Sequence, residues 1–347
     1  MSKPITHITQ VEIQQLWKEP ELNIKWNLHR DVNILAGDNG SGKSTILNLI
    51  LWLLARNNDN LHIHGYIKAD IKSISIMFNE SSVFTSEHFK LPIETLEKNT
   101  NKHKTIDDLL AQIKTQLGED FYQKHRTEDL EIFFQTINGQ YVDTAINNLI
   151  QVNNISTFDE PVVPLEYIQK FEGKKVKTYL DSLIANLEKV YLDYQVEIGK
   201  LALKALSSGT DIEQIRQVNQ RLDAKKNLFL DMIDELFGAT QKRIDRDNNG
   251  ISFIKRGKTK LGYHDLSSGE KQMLMILLTA LVQNNKPTVM IMDEPELSLH
   301  TDWQEKLIDY IRQLNENVQI IIATHSPSIV INGWQDKVFE INDILVK

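Results

Sequence analysis

The stretch at residues 33–45, NILAGDNGSGKST, limits the folds open to this chain more than any other segment. It holds the pattern G-x-x-x-x-G-K-S, from Gly37 to Ser44, which is typical of a loop that binds phosphate groups. Its glycines permit backbone angles that residues with a Cβ avoid, so successive N–H groups can turn inward around an anion. Lys43 can reach the β- and γ-phosphates of a nucleotide, and the Ser44 hydroxyl can coordinate Mg²⁺. The pattern therefore predicts a site for a nucleoside triphosphate and Mg²⁺.

The segments on either side fit such a loop. Residues 32–35 are mostly apolar and predict a buried strand, and residues 44–55 (STILNLILWLLA) predict a helix. The positive N-terminal end of that helix would face the phosphates. The alternative is an ordinary glycine-rich turn, which would need neither of these elements.

The composition argues against several classes of protein. The 347 residues include no cysteine, which excludes disulfides, thiolate zinc sites and a cysteine nucleophile and suits a reducing cytoplasm. The formal net charge of −8 argues against a generic DNA-coating protein, so contact with DNA or RNA needs a local basic patch or a partner. There is no pattern of a signal peptide and no apolar run long enough to span a bilayer, so we expect a cytoplasmic protein with no membrane contact.

Hydrophobic patterning divides the chain into three parts. Alternating apolar residues predict strands within residues 1–78, which include the phosphate-binding loop. Residues 79–238 are polar and mostly helical in period, and they predict a helical insertion with a hairpin of two amphipathic helices near residues 166–237. Strands and helices alternate again in residues 239–347. This order predicts an α/β fold, in which the insertion separates two halves of one domain with a mainly parallel sheet and antiparallel N-terminal strands.

Two acids follow the most apolar strand of the third part. Residues 288–292 (TVMIM) predict a buried strand, and Asp293 and Glu294 come directly after it. Adjacent carboxylates at a buried strand end are costly without a cation, so Asp293 is a candidate ligand of Mg²⁺. Glu294 can orient or deprotonate an attacking water, and His325, at the end of the next buried strand, can hydrogen-bond a γ-phosphate. The alternatives are a polar strand cap for the acids and a core histidine for His325.

Residues 266–272, LSSGEKQ, predict a second anion site. Ser268 and Gly269 precede a predicted helix that begins near Glu270, so the hydroxyl and amides there can bind phosphate. Because one chain already holds the triphosphate at its loop, a second anion site far away in sequence suggests action on a nucleotide held by another subunit. The alternative is a helix N-cap with a glutamate in its first turn.

Together these motifs resemble the ABC-type ATPase superfamily, in the branch related to SMC, RecF, OLD and ATPase subunits of Septu- or retron-associated anti-phage defence systems. The resemblance covers about residues 1–78 and 240–345, and the motifs occur in family order. It implies that Gly37–Ser44 is the Walker A motif, Ser267–Gln272 the signature, Asp293–Glu294 the Walker B pair, Glu296–His300 the D-loop and His325 the switch histidine.

The resemblance assigns the site residues to three groups. The catalytic residues are Glu294, His325 and Lys43. The ATP-binding residues are Gly37, Asp38, Asn39, Gly40, Ser41, Gly42, Lys43, Ser44, Thr45, Ser267, Ser268, Gly269 and Glu270. The ligands of Mg²⁺ are Ser44 and Asp293.

The resemblance also implies a two-fold symmetric, head-to-tail homodimer with two ATP molecules between the subunits. Higher assemblies of dimers, a separately encoded effector and local contact with DNA or RNA are further expectations. Three basic clusters could touch a phosphate backbone, although solvation is the default for such runs. They are Lys98/Lys102/His103/Lys104, Lys174/Lys175/Lys177 and Lys255/Arg256/Lys258/Lys260.

The chain departs from the family pattern in three respects. Residues 78–81 (FNES) lack the glutamine that transporter-type domains carry, and Asn79 is the candidate substitute. The predicted hairpin is too short for an SMC arm and has no C-x-x-C, so no zinc hook is expected. We expect no appended Toprim-like nuclease domain after His325, so nuclease or toxin activity should come from another polypeptide.

Three functions stay open at this stage. The first is an ATPase of slow or ordinary turnover. Its ATP-dependent dimerisation regulates a separate nuclease or toxin in anti-phage defence. The second is a DNA repair or chromosome-maintenance ATPase of RecF or SMC type, which predicts DNA-stimulated hydrolysis. The third is an ATP-bound scaffold with negligible turnover.

Overall fold

The computed structural model of the chain describes residues 4–55, 71–79, 82–92, 129–138, 140–141, 150–155, 178–207 and 212–346. The chain divides into two compact units, which are described separately below. The first unit comprises Met1–Arg30, Ser44–Ile150 and Glu340–Lys347, and the second comprises Asp31–Lys43 and Gln151–Phe339.

The first unit is built on an antiparallel sheet. Its described strands are β1 (Ile8–Gln14), β2 (Asn23–Asn27), β4 (Ser73–Phe78), β5 (Val83–Pro92), β6 (Asp129–Ile137), β7 (Gln140–Tyr141) and β15 (Leu345–Val346). They lie in the order β15-β2-β1-β4-β5-β6-β7. Buried cross-strand pairs, Val11 with Trp26 and Ile13 with Ile24, hold β1 to β2, as the alternating pattern of the sequence predicts.

Helix α1 (Lys43–Ala55) follows the phosphate-binding loop directly. Its apolar residues occur on all sides and not in one stripe, which is typical of a helix buried within a larger protein. The structure agrees, because its isoleucines and leucines are all nearly inaccessible to solvent.

The second unit is built on a parallel sheet. Its described strands are β3 (Val32–Ala36), β8 (Gln151–Ile155), β12 (Thr288–Asp293), β13 (Val318–Ala323) and β14 (Val338–Glu340), in the order β14-β3-β13-β12-β8. The pairs β3–β13, β13–β12 and β12–β8 are all parallel. Every residue of β13 is buried, as expected for a parallel strand covered on both faces. A small antiparallel sheet is formed by β9 (Lys242–Ile244), β10 (Ser252–Lys255) and β11 (Thr259–Gly262).

Four long helices complete the second unit. They are α2 (Tyr179–Ser207), α3 (Ile212–Phe237), α4 (Ser268–Val282) and α5 (Thr301–Leu314). Helix α2 packs on α3, both pack on α4, and α4 also packs on α5. Two short helices, α6 (Pro327–Val330) in this unit and α7 (Ile341–Ile344) in the first unit, follow toward the C-terminus.

A buried ion pair fixes the start of α2 to α4. Lys271 Nζ lies 2.8 Å from Asp181 Oδ1, and both side chains are almost completely buried. Asp181 also closes a reciprocal cap with Thr178, because the Thr178 N–H donates to Asp181 Oδ2 and the Asp181 N–H donates to Thr178 Oγ1. Removing one partner of such a pair leaves an uncompensated buried charge, at a cost of about 3–5 kcal/mol. The pair therefore fixes the base of the helical hairpin to α4, the helix that begins in the signature segment and is called the signature helix below.

The α/β fold with a parallel sheet, antiparallel N-terminal strands and a helical hairpin is confirmed. One expectation needs correction, since residues 79–238 are not a purely helical insertion. They include β5, β6 and β7 of the antiparallel sheet, and β8 pairs with β12 in the parallel sheet. The basic clusters at residues 98–104 and 174–177 lie outside the described residues.

Candidate functional site

Strand register brings three loops of the second unit to the same edge of the parallel sheet. Asp293, the last residue of β12, is the register partner of Ala323, the last residue of β13. Ala323 is in turn the partner of Leu35 in β3. The phosphate-binding loop, the Glu294 turn and the segment around His325 therefore all begin at the carboxyl ends of adjacent parallel strands, where ligands bind in open α/β sheets.

The phosphate-binding loop adopts the backbone that its sequence predicts. Gly37, Gly40 and Gly42 have φ of 148°, 79° and 100°, in the region that favours glycine. A Cβ placed at Gly40 would have no atom within 4 Å, so the loop is open at this point. Asp38 and Asn39 are exposed, whereas Lys43 is buried.

Lys43 is held inside this loop by three acceptors. Its Nζ donates to the carbonyl oxygens of Gly37, at 2.9 Å, and Asp38, at 3.0 Å. It also lies 2.6 Å from His325 Nε2. Because an ammonium group can only donate, Nε2 of His325 acts as the acceptor, which assigns the imidazole proton to Nδ1.

Glu294 lies near the same nitrogen of His325 that Lys43 contacts. Its Oε1 lies 3.5 Å from His325 Nε2. The backbone of Glu294 is left-handed, with φ of 47°, and its N–H donates to the Ala323 carbonyl at 2.8 Å. Strained backbone of this kind costs roughly 1–3 kcal/mol and occurs often at functional sites. The structure thus brings together all three residues that the sequence analysis proposed as catalytic.

The residues present fit a nucleoside triphosphate with Mg²⁺. The loop offers the ammonium of Lys43 and the Ser41 hydroxyl, whose oxygen is buried and has no hydrogen-bond partner among the described residues. Within the described ranges, no group of three or more His, Cys, Asp or Glu side chains could hold a metal alone. Mg²⁺ usually takes one or two carboxylates together with substrate phosphates, and the Asp293 carboxylate at the end of β12 offers the hard oxygen ligands that it prefers.

The signature segment forms a capped helix start. Ser267 is the N-cap of α4, and its Oγ accepts the Glu270 N–H, while the Ser267 N–H donates to Glu270 Oε2 at 2.8 Å. This is the capping box that was the alternative interpretation of the segment. The cap occupies the N–H and the hydroxyl of Ser267, whereas Ser268, also exposed, is the first residue of α4 and lies at the positive end of that helix.

Glu270 is placed differently from the prediction that it contacts ATP. Its side chain is buried, and its carboxylate accepts hydrogen bonds from Lys242 Nζ, at 2.7 Å, and Thr240 Oγ1, at 2.8 Å. Burial alone would raise the pKa of the carboxyl, but the hydrogen bonds from Lys242, Ser267 and Thr240 outweigh it, and the pKa lies below its ordinary value. Glu270 therefore stabilises the start of α4 from the protein interior, and it does not lie on the exposed surface where a nucleotide could bind.

The signature helix is fitted closely to the turn after Glu294. Residues Pro295–Ser298 form a single 3₁₀ turn. A Cβ on Gly269 would lie only 2.2 Å from the Ser298 carbonyl oxygen, so no larger residue fits there without movement of the backbone. The buried Gln272 also donates from Nε2 to the Pro295 carbonyl at 2.9 Å. Gly269 is thus required by packing against this turn.

Other expected features are placed as follows. Asn79 accepts the N–H groups of Thr6 and His7 and donates to the Pro4 carbonyl, so its amide group ties down the N-terminal segment, and the structure does not support it as a substitute for the missing glutamine. Arg256, Lys258 and Lys260 are exposed at and beside the turn between β10 and β11. Of the helices that the structure describes, none is both long and apolar enough to cross a bilayer.

Comparisons with known proteins agree with this architecture. A family model described as "ABC transporter" matches residues 22–163, and one described as "AAA domain, putative AbiEii toxin, Type IV TA system" matches residues 170–332. The chain is therefore similar to both families, in each case over less than half of its length.

Two curated relatives match most of the length of this chain. The "Retron Vc95 probable ATPase" of Vibrio cholerae serotype O1 biovar El Tor is 22% identical over 91% of this chain and 70% of its own. "Septu protein PtuA" of Bacillus thuringiensis is 23% identical over 89% of this chain and 69% of its own. Among solved structures, an SMC head bound to the C-winged helix domain of ScpA has a TM-score of 0.48 at 16% identity, covering 94% and 91% of the two chains.

The sequence analysis missed several residues that support the site. Lys242 and Thr240 hold Glu270, and Gln304 bridges the Pro295–Ser298 turn to the segment that follows His325. None of them lies in a motif, and no local pattern singles them out. Glu296 is the next acid after Glu294 and lies within the D-loop segment. This position is the one sequence signal that could have pointed to it.

The fit of Gly269 against Ser298 can be tested by adding a methyl group. We expect Gly269→Ala to lower the free energy of unfolding by about 1–3 kcal/mol, because the turn must shift. Gly199 in α2 is the matched control, since a Cβ there meets no atom within 4 Å. Gly199→Ala should raise stability by up to about 1 kcal/mol, as helix propensity predicts. Denaturant unfolding measures both, and equal effects of the two substitutions would contradict the close fit.

Proposed function

We propose that this protein binds and hydrolyses ATP, and that ATP closes a homodimer in which each subunit completes the other's site. The observation that supports this most is the group formed by Lys43, His325 and Glu294 at the ends of three parallel strands. A phosphate-binding lysine, an imidazole and a carboxylate at one sheet edge match the needs of phosphoryl transfer to water.

Each residue has a distinct role in this proposal. The loop N–H groups and Lys43 bind the β- and γ-phosphates and neutralise charge as it develops. Glu294 orients the attacking water and accepts its proton. In the form of the ring that carries a proton on Nε2, which differs from the form that accepts from Lys43, His325 donates a hydrogen bond to the γ-phosphate. Because Lys43 and His325 are already within hydrogen-bond distance of each other, both can reach the same phosphate oxygens without large movements. Mg²⁺, held by Ser44 and Asp293, would supply charge neutralisation between the β- and γ-phosphates.

The exposed start of α4 supports the dimer. Ser268 is exposed at the N-terminal end of α4, and Ser267, also exposed, can turn its hydroxyl from Glu270 to a ligand. We propose that they contact the γ-phosphate of ATP bound to a second copy of the chain, in a two-fold symmetric pair. ATP binds both faces of the closed pair and only one face of an open subunit, so it shifts the population toward closure, and hydrolysis reverses the shift.

A charge-neutral change at Glu294 separates ATP binding from hydrolysis. We expect Glu294→Gln to slow turnover by about 10²–10⁴-fold through loss of the general base. With ATP and Mg²⁺ the variant should form stable dimers in size-exclusion chromatography with light scattering. Glu316→Gln is the control, because this exposed acid lies before β13, at the opposite end of the strand that leads to His325. Unchanged hydrolysis by Glu294→Gln would reject the role.

We further propose that closure regulates a separately encoded effector in anti-phage defence, in the cytoplasm. The support comes from two homologues named after retron and Septu systems. Within its described ranges the chain has no group of three or more His, Cys, Asp or Glu side chains that could hold a metal ion. An effector would bind the open and the closed dimer differently, because ATP-dependent closure changes the surface that this protein exposes.

Co-purification from the native host, with ATP or with an EDTA wash, tests the effector. We expect a nuclease or toxin to elute with the protein and its occupancy to depend on nucleotide. A competing function is contact with DNA, which the exposed basic residues near β11 favour. In that case duplex DNA should stimulate ATP hydrolysis. DNA stimulation with no co-purified effector would favour the repair or maintenance function, and an ATP-bound protein without turnover would favour a scaffold.

A further inference from the structure

The Pro295–Ser298 turn lies between the signature helix and His325, and one carboxylate joins the turn to the histidine. Glu296 Oε1 accepts two hydrogen bonds, from Thr324 Oγ1 at 2.6 Å and from the His325 N–H at 2.9 Å. Bonds to a charged acceptor are the stronger kind, and together they fix the Thr324–His325 peptide. The orientation of that peptide sets the direction in which the His325 ring leaves the backbone.

A second side chain supports the same link. Gln304 donates from Nε2 to the Leu299 carbonyl at 2.9 Å, and its Oε1 accepts the Ser326 hydroxyl at 2.6 Å. The Ser326 N–H donates to Thr324 Oγ1 at 2.9 Å, which closes the network. The residues on both sides of His325 are thus tied to the turn that carries Glu296, so the histidine cannot shift independently of that turn.

The other side of the turn is fixed to the signature helix. Gln272 holds the Pro295 carbonyl, and Gly269 lies against the Ser298 carbonyl. A displacement of the start of α4 therefore moves the turn, and the turn moves the acceptor of the His325 N–H. Such a chain of packed and hydrogen-bonded groups can carry a change from one site to another.

We propose that Glu296 is a positioning residue that sets His325 and couples it to the signature helix of its own subunit. When ATP bound to a partner contacts Ser267 and Ser268, the start of α4 would move the turn and Glu296. Glu296 would then change the position of His325, which lies at this subunit's own ATP. The inference rests on the proposed function for its consequence, whereas the hydrogen-bond link is a property of the single chain.

The link itself is testable without nucleotide. Amide hydrogen exchange of the His325 N–H is followed by mass spectrometry on the full chain, over peptides that cover residues 322–330. In Glu296→Ala this amide loses its acceptor and should exchange about tenfold faster, whereas Glu296→Gln retains a side-chain oxygen and should exchange as the wild type does. Glu305→Ala, on the helix that carries Gln304, is the control. Unchanged exchange in Glu296→Ala overturns the proposal.

Steady-state ATP hydrolysis by the same variants tests the consequence. We expect Glu296→Ala to lower kcat by up to about 100-fold, as misplacement of a site group does, with KM close to that of the wild type. Glu296→Gln should recover most of the rate. Full kcat in Glu296→Ala, or a failure of Glu296→Gln to recover it, overturns the positioning role. Absence of turnover in the wild type and in Glu305→Ala contradicts the proposed function alone, and the exchange experiment then decides on the link.

Discussion

The parallel pairing of β3, β13 and β12 is the constraint on which the rest of the site depends. Because Leu35, Ala323 and Asp293 are level in the sheet, three loops distant in sequence start side by side. A shift of one residue in either pairing would reverse the faces of a strand, which buried parallel strands do not tolerate. The sheet therefore fixes where Lys43, Glu294 and His325 meet, and each loop only has to supply local geometry.

The turn after Glu294 gives this edge a second property. It contacts the signature helix through Gly269 and Gln272, and it contacts the histidine segment through Glu296 and Gln304. One short turn thus touches both the group that binds phosphate within the subunit and the group proposed to act on a partner. In the proposed dimer, this turn would couple the ATP bound by one subunit to the ATP bound by its partner.

The sequence predicts the parts of the fold that follow from local pattern. The apolar runs of β12 and β13, the glycines of the phosphate-binding loop and the amphipathic α5 all lie where they are expected. Strand β8 was missed because QVNNI has no continuous apolar run, and its pairing with β12 decides its structure. The inward position of Glu270 was missed for a similar reason, since Lys242 and Thr240 come from a different part of the chain.

The central claim is that each ATP is held by one subunit and completed by the other. The most direct measurement mixes two subunits that each lack one half of the site, Lys43→Ala and Ser268→Arg. Each variant alone should fail to hydrolyse ATP. A mixed pair contains one site with an intact loop and an intact signature, so the account predicts that hydrolysis returns on mixing. A mixture that stays as inactive as its components would contradict it.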